Sequence, residues 1–201
     1  MGKDFRIVVL ISGNGSNLQS IIDHIRQKKI DGRIVAVISN KASAYGLERA
    51  SKANIPTHVI SQDSVESYNQ VLRQTVSALN PDLIVLAGYM KILPANFVNQ
   101  FEGKIINIHP SLLPRHKGLN THQRAIDSGD QHHGATVHFV TAELDDGPII
   151  IQKKVAIDKD DTADSLQKKI LTEEHKIYPM AIQWIASNKI SFHQLQPIHA
   201  T

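Results

Sequence analysis

The chain has 201 residues, enough for one α/β domain with a sizeable core, and its 22 Lys and Arg against 19 Asp and Glu leave a formal net charge of +3. That surplus is small and dispersed, which argues against nucleic acid and leaves room for a small anionic ligand. With no cysteine, disulfides, thiolate catalysis and Cys-ligated zinc are excluded.

The apolar run "IVVLI" breaks at Ser12 and Gly13, too short for a signal-peptide core or a membrane span. Arg6 stands where a myristoylation signal requires Ser or Thr. A cytoplasmic protein without a membrane anchor is expected.

"FRIVVLIS" reads as a buried strand, "GNGSN" as a turn, and "LQSIIDHIRQK" as a helix with Leu18, Ile21, Ile22 and Ile25 on one face. "GRIVAVISN" gives a second strand, "SAYGLERASKAN" a helix and "PTHVIS" a short third strand. A longer helix in "SVESYNQVLRQTVSALN" ends at Asn80 and Pro81, followed by the strand "LIVLAGY", a short helix around "PANFVNQF" and the strand "KIINIHP". Strands apolar on both faces that alternate with helices predict a doubly wound, mostly parallel sheet.

After residue 130 the rhythm changes. "GATVHFVT" and "GPIIIQKKVAI" are strands joined by "AELDDG", with no room for a crossover helix, so a hairpin or bend and an antiparallel C-terminal portion are expected. A long helix over about Thr162 to Ala186 follows, with Pro179 expected to kink it, and then a final short strand "ISFHQ". Without a linker, repeat or low-complexity segment, residues 1–201 read as one domain.

Three stretches could carry chemistry. Within "KIINIHPSLLP", Asn107 and His109 are spaced i and i+2, so on a strand they share a face; Pro110 cannot continue the ladder and leaves His109 at the C-terminal edge of the sheet. One polar residue in such a run is ordinarily a satisfied core residue, but two at the edge where open parallel sheets bind ligands make a site competitive. "SGNGSN" is a tight turn by default; it lacks the third glycine of a dinucleotide fingerprint, where Leu18 stands, and the lysine of a P-loop. Its free N–H groups at Gly15, Ser16 and Asn17 open a helix and form an anion site suited to a phosphate monoester.

The acidic turn "ELDDG" holds Asp145 and Asp146. Asp146 reads as solvated turn, whereas Asp145 lies between strands whose ends could reach His109, where a carboxylate would fix the tautomer of the imidazole and favour its charged form. Sequence spacing alone does not establish that contact. Among 11 histidines, His132 and His133 are adjacent, with His138 nearby. Neighbouring strand residues point to opposite faces and no HExxH occurs, so no metal is expected.

Taken together, "LISGNGSNLQSII", "LAGYMKIL", "INIHPSLLP" and "GATVHFVTAELDDGPII" resemble the glycinamide ribonucleotide formyltransferase family of purine synthesis, from about Arg6 to Trp184. The resemblance implies a Rossmann-like formyltransferase fold and transfer of formyl from 10-formyltetrahydrofolate, as co-substrate and without metal, to the amine of 5'-phosphoribosylglycinamide. It implies Asn107, His109 and Asp145 as the catalytic trio, with the substrate phosphate on Gly15, Ser16 and Asn17 and Glu174 near the ribose hydroxyls. The pterin would meet the backbone of Met90, Lys91, Ile92 and Leu93, and Asn107 would also face the folate. Small-molecule substrates, no nucleic acid or membrane, and a monomer or weak homodimer complete the expectation.

Two departures from the family pattern are Val65, where many relatives carry an arginine, and Asn120, where some carry a histidine. The alternatives are a formyltetrahydrofolate hydrolase, expected to need a regulatory domain before the first strand, and a methionyl-tRNA formyltransferase, expected to need a further C-terminal domain. A non-catalytic binding module would be favoured by loss of His109 or Asp145, and both are present.

Overall fold

A computed structural model describes residues 4–61 and 64–195. Seven strands form one sheet: β1 (Arg6–Ile11), β2 (Arg33–Ser39), β3 (Thr57–Val59), β4 (Leu83–Leu86), β5 (Ile105–His109), β6 (His132–Phe139) and β7 (Ile149–Ala156). Their order is β3-β2-β1-β4-β5-β6-β7. The first five strands pair in parallel, and β6 is antiparallel to both β5 and β7. This is the doubly wound sheet with an antiparallel C-terminal portion that the sequence predicts.

The helices are α1 (Ser16–Arg26), α2 (Tyr45–Lys52), α3 (Val65–Leu79), α4 (Ala95–Gln100), α5 (Thr121–Asp127) and α6 (Ala163–Ala186). Strand alternation splits the apolar side chains into two clusters. Ile7, Val9, Ile11, Leu83, Val85, Ile106, Ile108, Ala135 and Val137 pack with α1 and α6, whereas Val8, Leu10, Ile84, Leu86 and Ile105 pack with α3 and α4. Ile105, Asn107 and His109 therefore share the second face, and so do Thr136 and His138, which alternate with Ala135, Val137 and Phe139 of the first.

Pro179 sits inside a continuous α6. Its missing N–H would have bonded the His175 carbonyl, and Ser20 Oγ donates to that oxygen instead at 2.7 Å. Tyr178, one residue earlier, is fully buried and donates to the carbonyl of Leu86 at 2.8 Å, tying α6 to the sheet.

One expectation needs correction, and one element is new. "ISFHQ" is not a strand: Phe192–Gln194 form a 3-10 turn, closed by the Ser191 N–H donating to Gln194 Oε1 at 2.8 Å and anchored by Phe192 packed edge-on against Phe139. α5 has no counterpart in the sequence pattern, because only Thr121 and Ala125 of its seven residues are buried, too little for a periodic signal. No helix among the described residues is long and apolar enough to cross a membrane.

Candidate active site

The glycine loop leaves β1 at its C-terminal end. Gly15 caps α1 in the left-handed conformation, φ 74° and ψ 30°. A Cβ there would lie 2.7 Å from the Cα of Gly46, so conformation and close approach both require glycine. No side chain caps the helix, and its first-turn N–H groups have no intrahelical acceptor, which leaves Ser16 and Asn17 presenting N–H dipoles to the sheet edge.

Asn17 also reaches α6, donating through Nδ2 to Glu174 Oε2 at 2.8 Å, while its Oδ1 is buried without a partner. Burial pushes the Glu174 carboxyl up to about 7, against the opposing bond from Asn17. The segment after β4 passes beside the same loop: the Met90 N–H donates to Ser12 Oγ at 2.8 Å, and Met90 and Ile92 are solvent-exposed. Lys91 Nζ lies 3.7 Å above the Tyr68 ring, and Leu93 packs against the second apolar cluster.

β5 delivers Asn107 and His109 to the same edge. β1 and β5 flank β4, so their ends are separated by two strand spacings, on the order of 10 Å. His109 is buried, with Nδ1 3.4 Å from Asp145 Oδ2 and Nε2 2.9 Å from the carbonyl oxygen of His116. Asp145 comes from the turn between β6 and β7, in the left-handed region at φ 49°. The Gly118 N–H donates to its Oδ2 at 2.9 Å.

The antiparallel register places His138 opposite Asn107. His138 Nδ1 donates to the Phe139 carbonyl at 2.8 Å, which leaves Nε2 as the acceptor for Asn107 Nδ2 at 3.3 Å. Burial pushes the His138 imidazole down to about 4, so the neutral ring that can accept from Asn107 persists at neutral pH. His138, which the sequence offered only as an unpromising metal ligand, orients the Asn107 amide. The signal that finds it is the strand register.

The structure thus brings Asn107, His109 and Asp145 together, and bonds Asn17, which follows Gly15 and Ser16 in the loop, to Glu174. Val65 opens α3 on the surface, and Asn120 adopts φ 56° ahead of α5, a conformation that asparagine tolerates better than most residues. His132 is exposed and His133 buried, on opposite faces as expected. Lys117 pairs with Asp146, so that carboxylate is not the merely solvated turn residue the sequence suggested.

A buried imidazole held between a carboxylate and a main-chain carbonyl thus stands at the same sheet edge as the uncapped start of α1. The chain belongs to the formyl transferase family, whose model matches residues 5–182. It is 50% identical over 191 residues to the phosphoribosylglycinamide formyltransferase of Escherichia coli strain K12, covering 94% of this chain and 90% of that one. The solved structure of the phosphoribosylglycinamide formyltransferase of Coxiella burnetii superposes with a TM-score of 0.91 at 47% identity, over 97% of this chain and 93% of that one. A formyltetrahydrofolate deformylase from Pseudomonas syringae superposes with the same TM-score, 0.91, at 26% identity, over 97% of this chain and 65% of that one. Fold alone therefore does not choose the formyl acceptor.

Proposed function

We propose that the protein transfers the formyl group of 10-formyltetrahydrofolate to the amine of 5'-phosphoribosylglycinamide, as a single formyltransferase domain acting on small molecules in the cytoplasm, a monomer or weak homodimer without metal. The observation that carries this reading is the shared edge: an anion loop after β1, with Glu174 bonded to it, and the Asn107–His109–Asp145 group at the end of β5. A phosphate anchored on Gly15, Ser16 and Asn17 and a ribose beside Glu174 leave a short amine arm to span the intervening distance. The pterin lies along Met90, Lys91, Ile92 and Leu93.

Attack of the amine on the formyl carbon gives a tetrahedral adduct bearing an oxyanion. One Asn107 N–H is held by His138, and the second is directed at that oxygen. His109 adds a donor, and Asp145 balances positive charge on the imidazole. The proton leaving the amine passes to the departing folate nitrogen. Positioned donors of this kind contribute about 3 to 4 kcal/mol each, and acid–base help about 10²- to 10⁴-fold.

Deformylation of 10-formyltetrahydrofolate with and without glycinamide ribonucleotide tests the reading. Acceleration by orders of magnitude with formyl recovered on the amine is expected, and free glycinamide should be a very poor acceptor, because the phosphoribosyl group supplies the remote binding energy. Fast formate release independent of the acceptor would instead establish the deformylase reading.

A further inference from the structure

Residues 115–118 cross over His109 in a turn whose three consecutive carbonyls each accept from a side chain. Ser111 Oγ donates to the Arg115 carbonyl at 2.7 Å, His109 Nε2 to that of His116 at 2.9 Å, and Arg124 Nη1 to that of Lys117 at 2.6 Å. The next residue, Gly118, gives its N–H to Asp145. One short segment therefore touches both His109 and Asp145.

The turn is held in a conformation that an L-residue disfavours. His116 has φ 54°, a left-handed value that costs a non-glycine residue about 1 to 2 kcal/mol and persists only where its surroundings enforce it. The enforcing contact is on the side chain. His116 Nε2 lies 2.8 Å from Asp130 Oδ2, and Arg115 donates to Oδ1 of the same carboxylate at 2.6 Å. The Asp130 and His116 side chains are only 5% and 9% exposed, although the Arg115 that shares the carboxylate is 63% exposed. On the other side Lys117 pairs with Asp146, the neighbour of Asp145.

We propose that segment 115–118 is a strap that fixes the catalytic imidazole, with His116 and Asp130 as positioning residues that act through the His116 carbonyl. Because Nε2 is committed to the strap, the working edge of His109 is Nδ1, whose proton is shared between Asp145, 3.4 Å away, and the developing oxyanion. The strap thereby decides which edge of His109 works.

The proposal rests on the transferase reading for its kinetic arm and is independent of it for its spectroscopic arm. In the wild-type protein without ligand, nitrogen-15 NMR of His109 should show a protonated Nε2 with a downfield, hydrogen-bonded proton; an unprotonated Nε2 would overturn the strap whatever the enzyme's activity. His116→Phe and Asp130→Asn, which cut the pin from opposite ends, should each lower kcat by about 10- to 100-fold, the scale of a misplaced catalytic group. Both KM values should stay within about twofold, and the Nε2 proton should move upfield. His116→Gln, which keeps an N–H for Asp130, should recover much of kcat. A folded variant with wild-type kcat and an unmoved Nε2 proton, or a loss confined to KM, would show that His116 and Asp130 only stabilise the fold.

Discussion

Glu174 gives a stability that depends on pH in a calculable direction. Its carboxyl, 7% exposed on α6, is pushed by burial from 4.5 to about 7. Between those values the folded protein keeps a proton that the unfolded chain has released, so stability falls as pH rises from about 4.5 and the full penalty is in place above 7. The rise from 4.5 to about 7 corresponds to about 3 kcal/mol. Glu174→Gln removes the titration and keeps an oxygen to accept from Asn17, so the variant should exceed wild type by under about 1 kcal/mol at pH 5 and by about 3 kcal/mol at pH 8. Urea denaturation of both proteins at intervals from pH 5 to 8.5 measures that gap. His133 and His138, which burial pushes down to about 4, lose stability in the opposite direction, as pH falls from about 6.5 to 4. They are present in both proteins and cancel in the difference. A gap of constant size across the range would refute the burial argument. At pH 8 the same variant should bind glycinamide ribonucleotide more weakly, since the ribose loses an ionised acceptor.

Two further expectations concern the loop and the trio. Asp145→Asn should lower kcat by about 100-fold or more with little change in either KM, because the carboxylate acts on charge that develops in the transition state; near wild-type turnover across pH would remove Asp145 from the mechanism. Gly15→Val should abolish glycinamide ribonucleotide binding, as its Cβ would meet Gly46 and its φ is 74°, whereas Ser16→Ala should weaken binding only modestly because the backbone N–H groups remain. Calorimetry with each ligand separates the two variants, and equal losses for folate would count against a dedicated phosphate loop.

Local rules were enough wherever one element decides the outcome. The i, i+2 spacing of Asn107 and His109 needed only the period of a strand, and Pro110 fixed which end of it they occupy. Gly15 needed only the demand of a strand-to-helix turn. The same reasoning failed where tertiary packing overrides a weak local signal. "ISFHQ" has the alternation of a strand, yet Ser191 and Gln194 close it as a turn and Phe192 is claimed by Phe139. α5 buries too little of itself to be periodic.

Asp145 was marked by its turn and by the family resemblance, but the contacts that complete the site were not legible from spacing, because they join elements far apart in the chain. Asp145 reaches His109 only because the β6–β7 turn folds back over β5, and no spacing between residues 109 and 145 encodes that. His138 becomes the partner of Asn107 through the antiparallel register; a slip of one residue would turn it to the other face and leave the amide unoriented. His116 is more hidden still, since its contribution to His109 is a backbone carbonyl available to any residue, and its identity matters only through Asp130 fourteen residues later. A pattern of side chains can thus mark the groups that meet the substrate while the groups that aim them stay silent until the register and turns are known. Substitution at 116 or 130 is accordingly where the structure forecasts a loss of turnover that no local motif in the sequence announces.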